Sequence, residues 1–132
     1  MGAEHPELVY ALLNLVSIHY FKGEYAKGEA LNLRGLSIAE KALGKDHPLV
    51  ARLLSSLAPF YSATGELASE ESSYERVLSI REKSLGPDHP LVTSSLVALS
   101  RIYRKRGDFA RAERLLQRSL CRLHHSILDL CA

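Results

Sequence analysis

Six histidines and two cysteines are the residues of this chain best suited to holding a metal or moving a proton near neutral pH. Three of the histidines, His5, His47 and His89, each precede a proline and stand 42 residues apart. Equal spacing puts them at equivalent points of successive units, too far apart to share one ion. Cys121 and His125 form an i,i+4 pair, one turn apart on a helix, and could supply half of a zinc site. His124 and His125 are neighbours and point about 100° apart on a helix. No third or fourth ligand accompanies them, so the expected reading is a buried thiol beside a surface histidine, with no metal. Nucleophile motifs are equally thin. There is no Gly-x-Ser-x-Gly, and the serine pairs Ser55-Ser56 and Ser94-Ser95 fall within helical patterns. No glycine-rich phosphate loop ending in Lys-Ser/Thr occurs, and no strand is available to precede one. Glu70-Glu71 reads as a solvated face with one charge turned inward. The chemistry-bearing residues predict no catalysis and no cofactor.

The histidines are better explained by the elements around them. Leu43-Gly-Lys-Asp-His-Pro-Leu-Val50 recurs as Leu85-Gly-Pro-Asp-His-Pro-Leu-Val92, and a shortened copy, His5-Pro-Glu-Leu-Val9, opens the sequence. A fixed period of roughly 20 to 50 residues is the signature of a repeat architecture. The octet reads as a helix stop followed by a helix start. Gly44 and Gly86 suit a left-handed C-terminal position, Asp46 and Asp88 can cap N–H groups, and the proline suits the first turn. Units of 5–46, 47–88 and 89–130 follow, within a single domain of 1–132. Each unit carries two helical patterns parted by Gly23, Gly65 or Gly107, always 18 residues after its histidine. The clearest is the last, where Phe109, Ala112, Leu116, Leu120, Leu123 and Ile127 mark one face of a helix. Strand-like alternation of useful length is absent. The expected fold is all-α, with three antiparallel helix pairs.

Composition agrees with a folded globular chain: 46% apolar and 24% charged over 132 residues. The longest apolar run, Leu8 to Val16, falls well short of the ~20 residues that span a bilayer. No secretory leader pattern is present, and two unpatterned cysteines favour a reducing, cytoplasmic setting. The net charge of +2 is unevenly spread, at −1, −2 and +5 over residues 1–46, 47–88 and 89–132. That balance is too small to indicate nucleic-acid binding, and the basic part lacks interleaved aromatics for base stacking.

At this point the residues resemble a family. The chain is similar to tetratricopeptide repeats of the 42-residue form found in kinesin light chains and nephrocystin-3. The Leu-x-x-Leu of the first helix is Leu12/Leu15, Leu54/Leu57 and Leu96/Leu99. The tyrosine before the glycine is Tyr61 and Tyr103, with His19 in unit 1; the aromatic after it is Tyr25 and Phe109, with Leu67 in unit 2. Arg34, Arg76 and Arg118 match the family arginine, and Ile80-Arg-Glu-Lys-Ser-Leu-Gly86 matches the family ending. The resemblance implies a right-handed α-solenoid whose first helices line a concave face. It implies a scaffold that binds a peptide or partner protein there, with no membrane or nucleic-acid role.

Carried onto this sequence, the family's groove positions are Tyr10, Leu13, Asn14, Ser17, Tyr20 and Phe21 in unit 1. Unit 2 gives Arg52, Ser55, Ser56, Pro59, Ser62 and Ala63, and unit 3 gives Ser94, Val97, Ala98, Arg101, Arg104 and Lys105. The groove would run from an aromatic end to a cationic end, suiting an acidic peptide with an apolar anchor. Asn14 matches a family asparagine that holds a bound peptide's backbone, but Ser56 and Ala98 replace it in the later units. Other departures lie in unit 2. Pro59 should kink its first helix, Glu70 takes the place of a small alanine and Ser73 that of a leucine. Unit 2 is therefore expected to be the least stable. Both ends look unsealed: the helix over 6–21 is apolar nearly all round, and Leu123, Ile127, Leu128 and Leu130 end the chain without a polar cap. An excerpt of a longer array, or self-association through the ends, would account for that.

Overall fold

The computed structural model describes residues 6–123. Six helices, and among the described residues no strand, follow in order: α1 (Pro6–Phe21), α2 (Tyr25–Leu43), α3 (Pro48–Thr64), α4 (Leu67–Leu85), α5 (Pro90–Lys105) and α6 (Phe109–Leu123). They make the expected right-handed solenoid of three antiparallel pairs. The expected run of the last helix to Ile127, together with His5, His124, His125, Leu128 and Leu130, lies outside the described residues.

The joint octet works differently from the sequence reading. The N-cap of α3 is His47, whose Nδ1 accepts the Leu49 N–H at 3.1 Å. His89 caps α5 in the same way through the Leu91 N–H, also at 3.1 Å. The caps are therefore the histidines, not Asp46 and Asp88, because the residue just before the N1 proline holds the extended conformation that aims its side chain at the first free donors. Asp46 instead faces Lys83 of the next unit at 3.6 Å. Gly44 (φ +92°, ψ 157°) and Gly86 (φ +84°, ψ 161°) end the preceding helices. Positive φ with extended ψ is essentially confined to glycine.

The core is thickest around α3, where Val50, Leu53, Leu54, Leu57 and Phe60 are almost wholly buried. α3 packs against its partner α4 and against α2 of the unit before, and α5 repeats this with α6 and α4. The unit-to-unit joints share an ion pair. Arg76 reaches back to Glu40 at 3.4 Å, and Arg118 to the equivalent Glu82 at 3.0 Å. The family arginine is thus a brace between stacked units. Pro59 sits within α3, which runs unbroken from Pro48 to Thr64, and its ring lies on the exposed side. Ser73 is buried, and beside it a cleft of about 330 Å³ opens between α2, α3 and α4.

The two joints also differ. At the first, Gly28 of α2 lets the Phe60 ring come so close that a Cβ on residue 28 would stand 2.6 Å from it. Tyr20 and Tyr25 pack their rings on Phe60 at 5.4 and 6.2 Å. At the second joint the equivalents of Gly28 and Phe60 are Glu70 and Ile102, both buried. α1 approaches α3 directly, whereas α3 and α5 come nowhere within 8 Å between Cα atoms.

Candidate interaction groove

The face expected to bind a partner is made by α1, α3 and α5, and the structure sorts its residues into three sets. Tyr10, Asn14, Ser17 and Phe21 on α1 are exposed, Phe21 at 85%. Leu13 is half-buried against the core, and Tyr20 belongs to the ring cluster around Phe60. Ser17 donates to its own helix, to the Leu13 carbonyl at 3.0 Å. On α3, Arg52 is exposed and lies over the Tyr10 ring, 4.9 Å from its centroid. Ser55 and Ser56 are half-buried. Ser55 donates to the Arg52 carbonyl, while Ser56 Oγ accepts from Asn32 Nδ2 and donates to the Leu53 carbonyl. Ser56 is thereby tied into the joint between units 1 and 2. On α5, Arg101, Arg104 and Lys105 are exposed, but Ala98 is buried. Arg101 and Lys105 line one cleft with Pro59 and Ser62 of α3; Arg104 does not.

One residue escaped the sequence reading. Arg81 of α4 lines an apolar pocket of about 190 Å³ with Tyr10, Leu49, Arg52, Ile80 and Leu91. It donates to Ser95 Oγ at 2.9 Å and to the Leu91 carbonyl at 3.5 Å. Burial lowers its pKa below the usual guanidinium value, and the nearby Arg52 charge pushes the same way. The signal was present in the repeat register: position 81 is equivalent to Ala39, which is fully buried, and to Leu123. A charge where the other units hold apolar side chains marks a special position.

Ion pairing is uneven over the surface, and outside the groove Arg34, Lys41, Lys45 and Arg114 also make no ion pair among the described residues. Arg76, Lys83, Arg106 and Arg118 all meet carboxylates of other helices or joints. Arg52, Arg81, Arg101, Arg104 and Lys105 make no ion pair among the described residues. Of Glu70-Glu71, one charge is turned inward as expected, but the other is paired rather than merely solvated. Glu71 pairs with Arg106, and Glu70 is buried with its Oε1 lacking a hydrogen-bond partner. Tyr103 donates its hydroxyl to Glu75 at 3.3 Å, and its pKa is raised, chiefly by burial.

Among the described residues no three His, Cys, Asp or Glu side chains gather into a metal-sized group. His47 and His89 are caps, and Cys121 is disulfide-bonded, not the free thiol expected, so it offers no zinc ligand. No helix described is long and apolar enough to cross a membrane.

No curated protein sequence matches the chain. Among solved structures it is similar to BtubC (BKLC) from P. vanneervenii, with TM-score 0.81, 20% identity, and coverage of 92% of this chain and 48% of that one. It is also similar to a putative kinesin light chain from Podosopora anserina with nearly identical TPR-like repeats, with TM-score 0.78, 25% identity, and coverage of 95% and 59%. The chain thus spans about half the length of these neighbours, and the likeness shows the shared fold. The tetratricopeptide repeat model matches residues 7–83 and 60–120. Those matches cover both joints and all six helices, and with the 42-residue register and the Arg–Glu braces they place the chain in the tetratricopeptide repeat family.

Proposed function

We propose that this chain is a non-enzymatic interaction scaffold that binds an acidic peptide, or an acidic segment of a partner protein, along the α1–α3–α5 face. The observation that carries it is the set of five cations there, Arg52, Arg81, Arg101, Arg104 and Lys105, without an ion pair among the described residues. Arg52 and Arg81 flank an apolar pocket, so an apolar anchor followed by carboxylates fits the order of the groove. A cytoplasmic location goes with the family reading, whereas the Cys121 disulfide favours an oxidising compartment, so the redox state of Cys121 in cells decides between them. The test uses a fluorescein-labelled peptide of one leucine flanked by glutamates. Binding should weaken steeply with salt, and by about ten-fold or more in Arg101→Glu/Arg104→Glu and in Arg81→Glu. Affinity unchanged by all three reversals removes the groove assignment.

A second reading, association through the ends, rests on the repeat register. Leu8, Leu15 and Ile18 of α1 are 45 to 54% exposed, while their equivalents Val50, Leu57 and Phe60 are at most 1% exposed. At the other end Leu120 is 41% exposed, and its equivalent Leu36 is 7% exposed. The α1 face is therefore of the kind that seats on a preceding unit, and the α6 face of the kind that receives a following one. Head-to-tail pairing of copies follows from this reading. Light scattering over a concentration series tests it, and a mass fixed at the monomer sinks it.

A further inference from the structure

Glu70 stands out once the two joints are superposed in register. Its equivalents are Gly28 and Ala112, both small and buried. At the first joint the space beside that position is filled by the Phe60 ring. At the second it is open, a cleft of about 220 Å³ between α3, α4 and α5, lined among others by Pro59, Glu70, Tyr74, Ala98, Arg101 and Lys105. Glu70 is more than nine-tenths buried, and its Oε1 meets no donor. Leaving a buried carboxylate oxygen unbonded is costly, and an arriving N–H relieves that cost. Arg101 and Lys105 line the same cleft with no ion pair, so they offer donors to an acceptor on the guest.

The guest must therefore carry a donor and an acceptor together. An ammonium or guanidinium would satisfy Glu70 but meet two like charges, Arg101 and Lys105. A carboxylate would suit the cations but meet Glu70. A carboxamide carries N–H donors and a carbonyl acceptor on one neutral plane. The tyrosine ring and proline ring among the walls supply apolar flanks for such a plane. A side-chain amide also enters end-on, whereas a backbone amide is flanked by chain on both sides.

We propose that the cleft between units 2 and 3 is a subsite for a glutamine or asparagine side chain of a bound segment, its N–H donated to Glu70 and its carbonyl held by Arg101 or Lys105. The proposal rests on the groove reading for its biological setting, but its test does not need the acidic peptide. The probe is N-acetyl-glutamine N′-methylamide, titrated into the ¹⁵N-labelled protein. Saturable shifts are expected at Tyr74, Ala98 and Arg101. In Glu70→Ala, which installs the residue that Ala112 already places at this position, affinity should fall by about ten-fold. Glu70→Gln, which keeps the shape, should fall less. A capped leucine and a probe dimethylated on the side-chain amide nitrogen should produce no saturable shifts. Equal binding to Glu70→Ala, or saturable shifts from the capped leucine, overturns the proposal, as does the absence of saturable shifts in the unaltered protein. A carboxamide that binds while the acidic peptide does not would leave this subsite standing and remove the groove reading instead.

Discussion

Forty-two residues carry Gly28 onto Glu70 and Phe60 onto Ile102, and there the two joints of the solenoid part company. At the first joint a residue without a side chain admits an aromatic ring, and two tyrosines close around it. At the second a longer, charged side chain faces a smaller aliphatic one, and a cleft remains between α3 and α5. The backbone frame is shared: the same histidine caps and the same Arg–Glu brace occur at both. A repeat protein can thus hold its curvature devices constant and alter one facing pair to open the space between successive first helices at one joint. Aromatic packing fills the space at the first joint, and polar side chains line the cleft at the second.

The largest expected effect tests that contrast in the core. Phe60→Ala should cost about 3–5 kcal/mol, while Ile102→Ala should cost nearer 2, because the second joint already has space and loses fewer neighbours. Urea denaturation of both variants measures the difference, and equal losses would mean the joints are alike in cohesion. Exchanging the facing residue comes next. Gly28→Glu should destabilise by about 3 kcal/mol, since its Cβ would meet the Phe60 ring and a carboxylate would be buried without a partner. Glu70→Ala should stabilise by about 1 kcal/mol by removing the unbonded oxygen and raising helix propensity. If both changes shift the melt in the same direction, position 70 does not distinguish the joints.

Smaller effects belong to the devices the joints share. Arg76→Ala and Arg118→Ala should each cost no more than about 0.5 kcal/mol, and to similar extents, because these partly exposed ion pairs are screened by water. A markedly larger loss at one of them would show that the brace is not equivalent. The smallest effect is at the turn of unit 1. Lys22, Lys27 and His19 hydrogen-bond Glu24 and hold its carboxyl down at about 2. A depressed carboxyl pKa adds stability that is present above the ordinary value of 4.5 and lost as the pH falls through about 2. A carboxyl-resolved NMR titration checks the value, and a midpoint near 4.5 would remove the cluster as a source of acid sensitivity.

Much of this frame is visible without coordinates. Pro48 and Pro90 open helices, Leu43 and Leu85 close them, and the spacing of leucines gives the buried faces, because these are local preferences and helical periodicity. The groove is only partly legible in this way. Motif counting puts Arg52, Arg101 and Lys105 on the surface, and they are exposed, but it treats Ser56 as open when Asn32, 24 residues earlier, claims its hydroxyl. It also passes over Arg81, because a second-helix position is read as packing unless its neighbours in space are known. The histidine caps were misassigned for a related reason: aspartate is the commoner cap, and only the backbone at His47 and His89 shows which side chain reaches the donor.

The sequence by itself determined the period, the six helices and the family, since each follows from interactions within about one turn or from a register repeated three times. The tertiary structure decided how tightly each joint closes and what each joint leaves unsatisfied. That outcome depends on pairs such as Gly28 with Phe60 and Glu70 with Ile102, whose members lie 32 residues apart in the chain. Volume and hydrogen bonding across such a distance have no local signature, so the same repeat motif yields a ring-filled space beside Gly28 at one joint and an open, charged cleft beside Glu70 at the next.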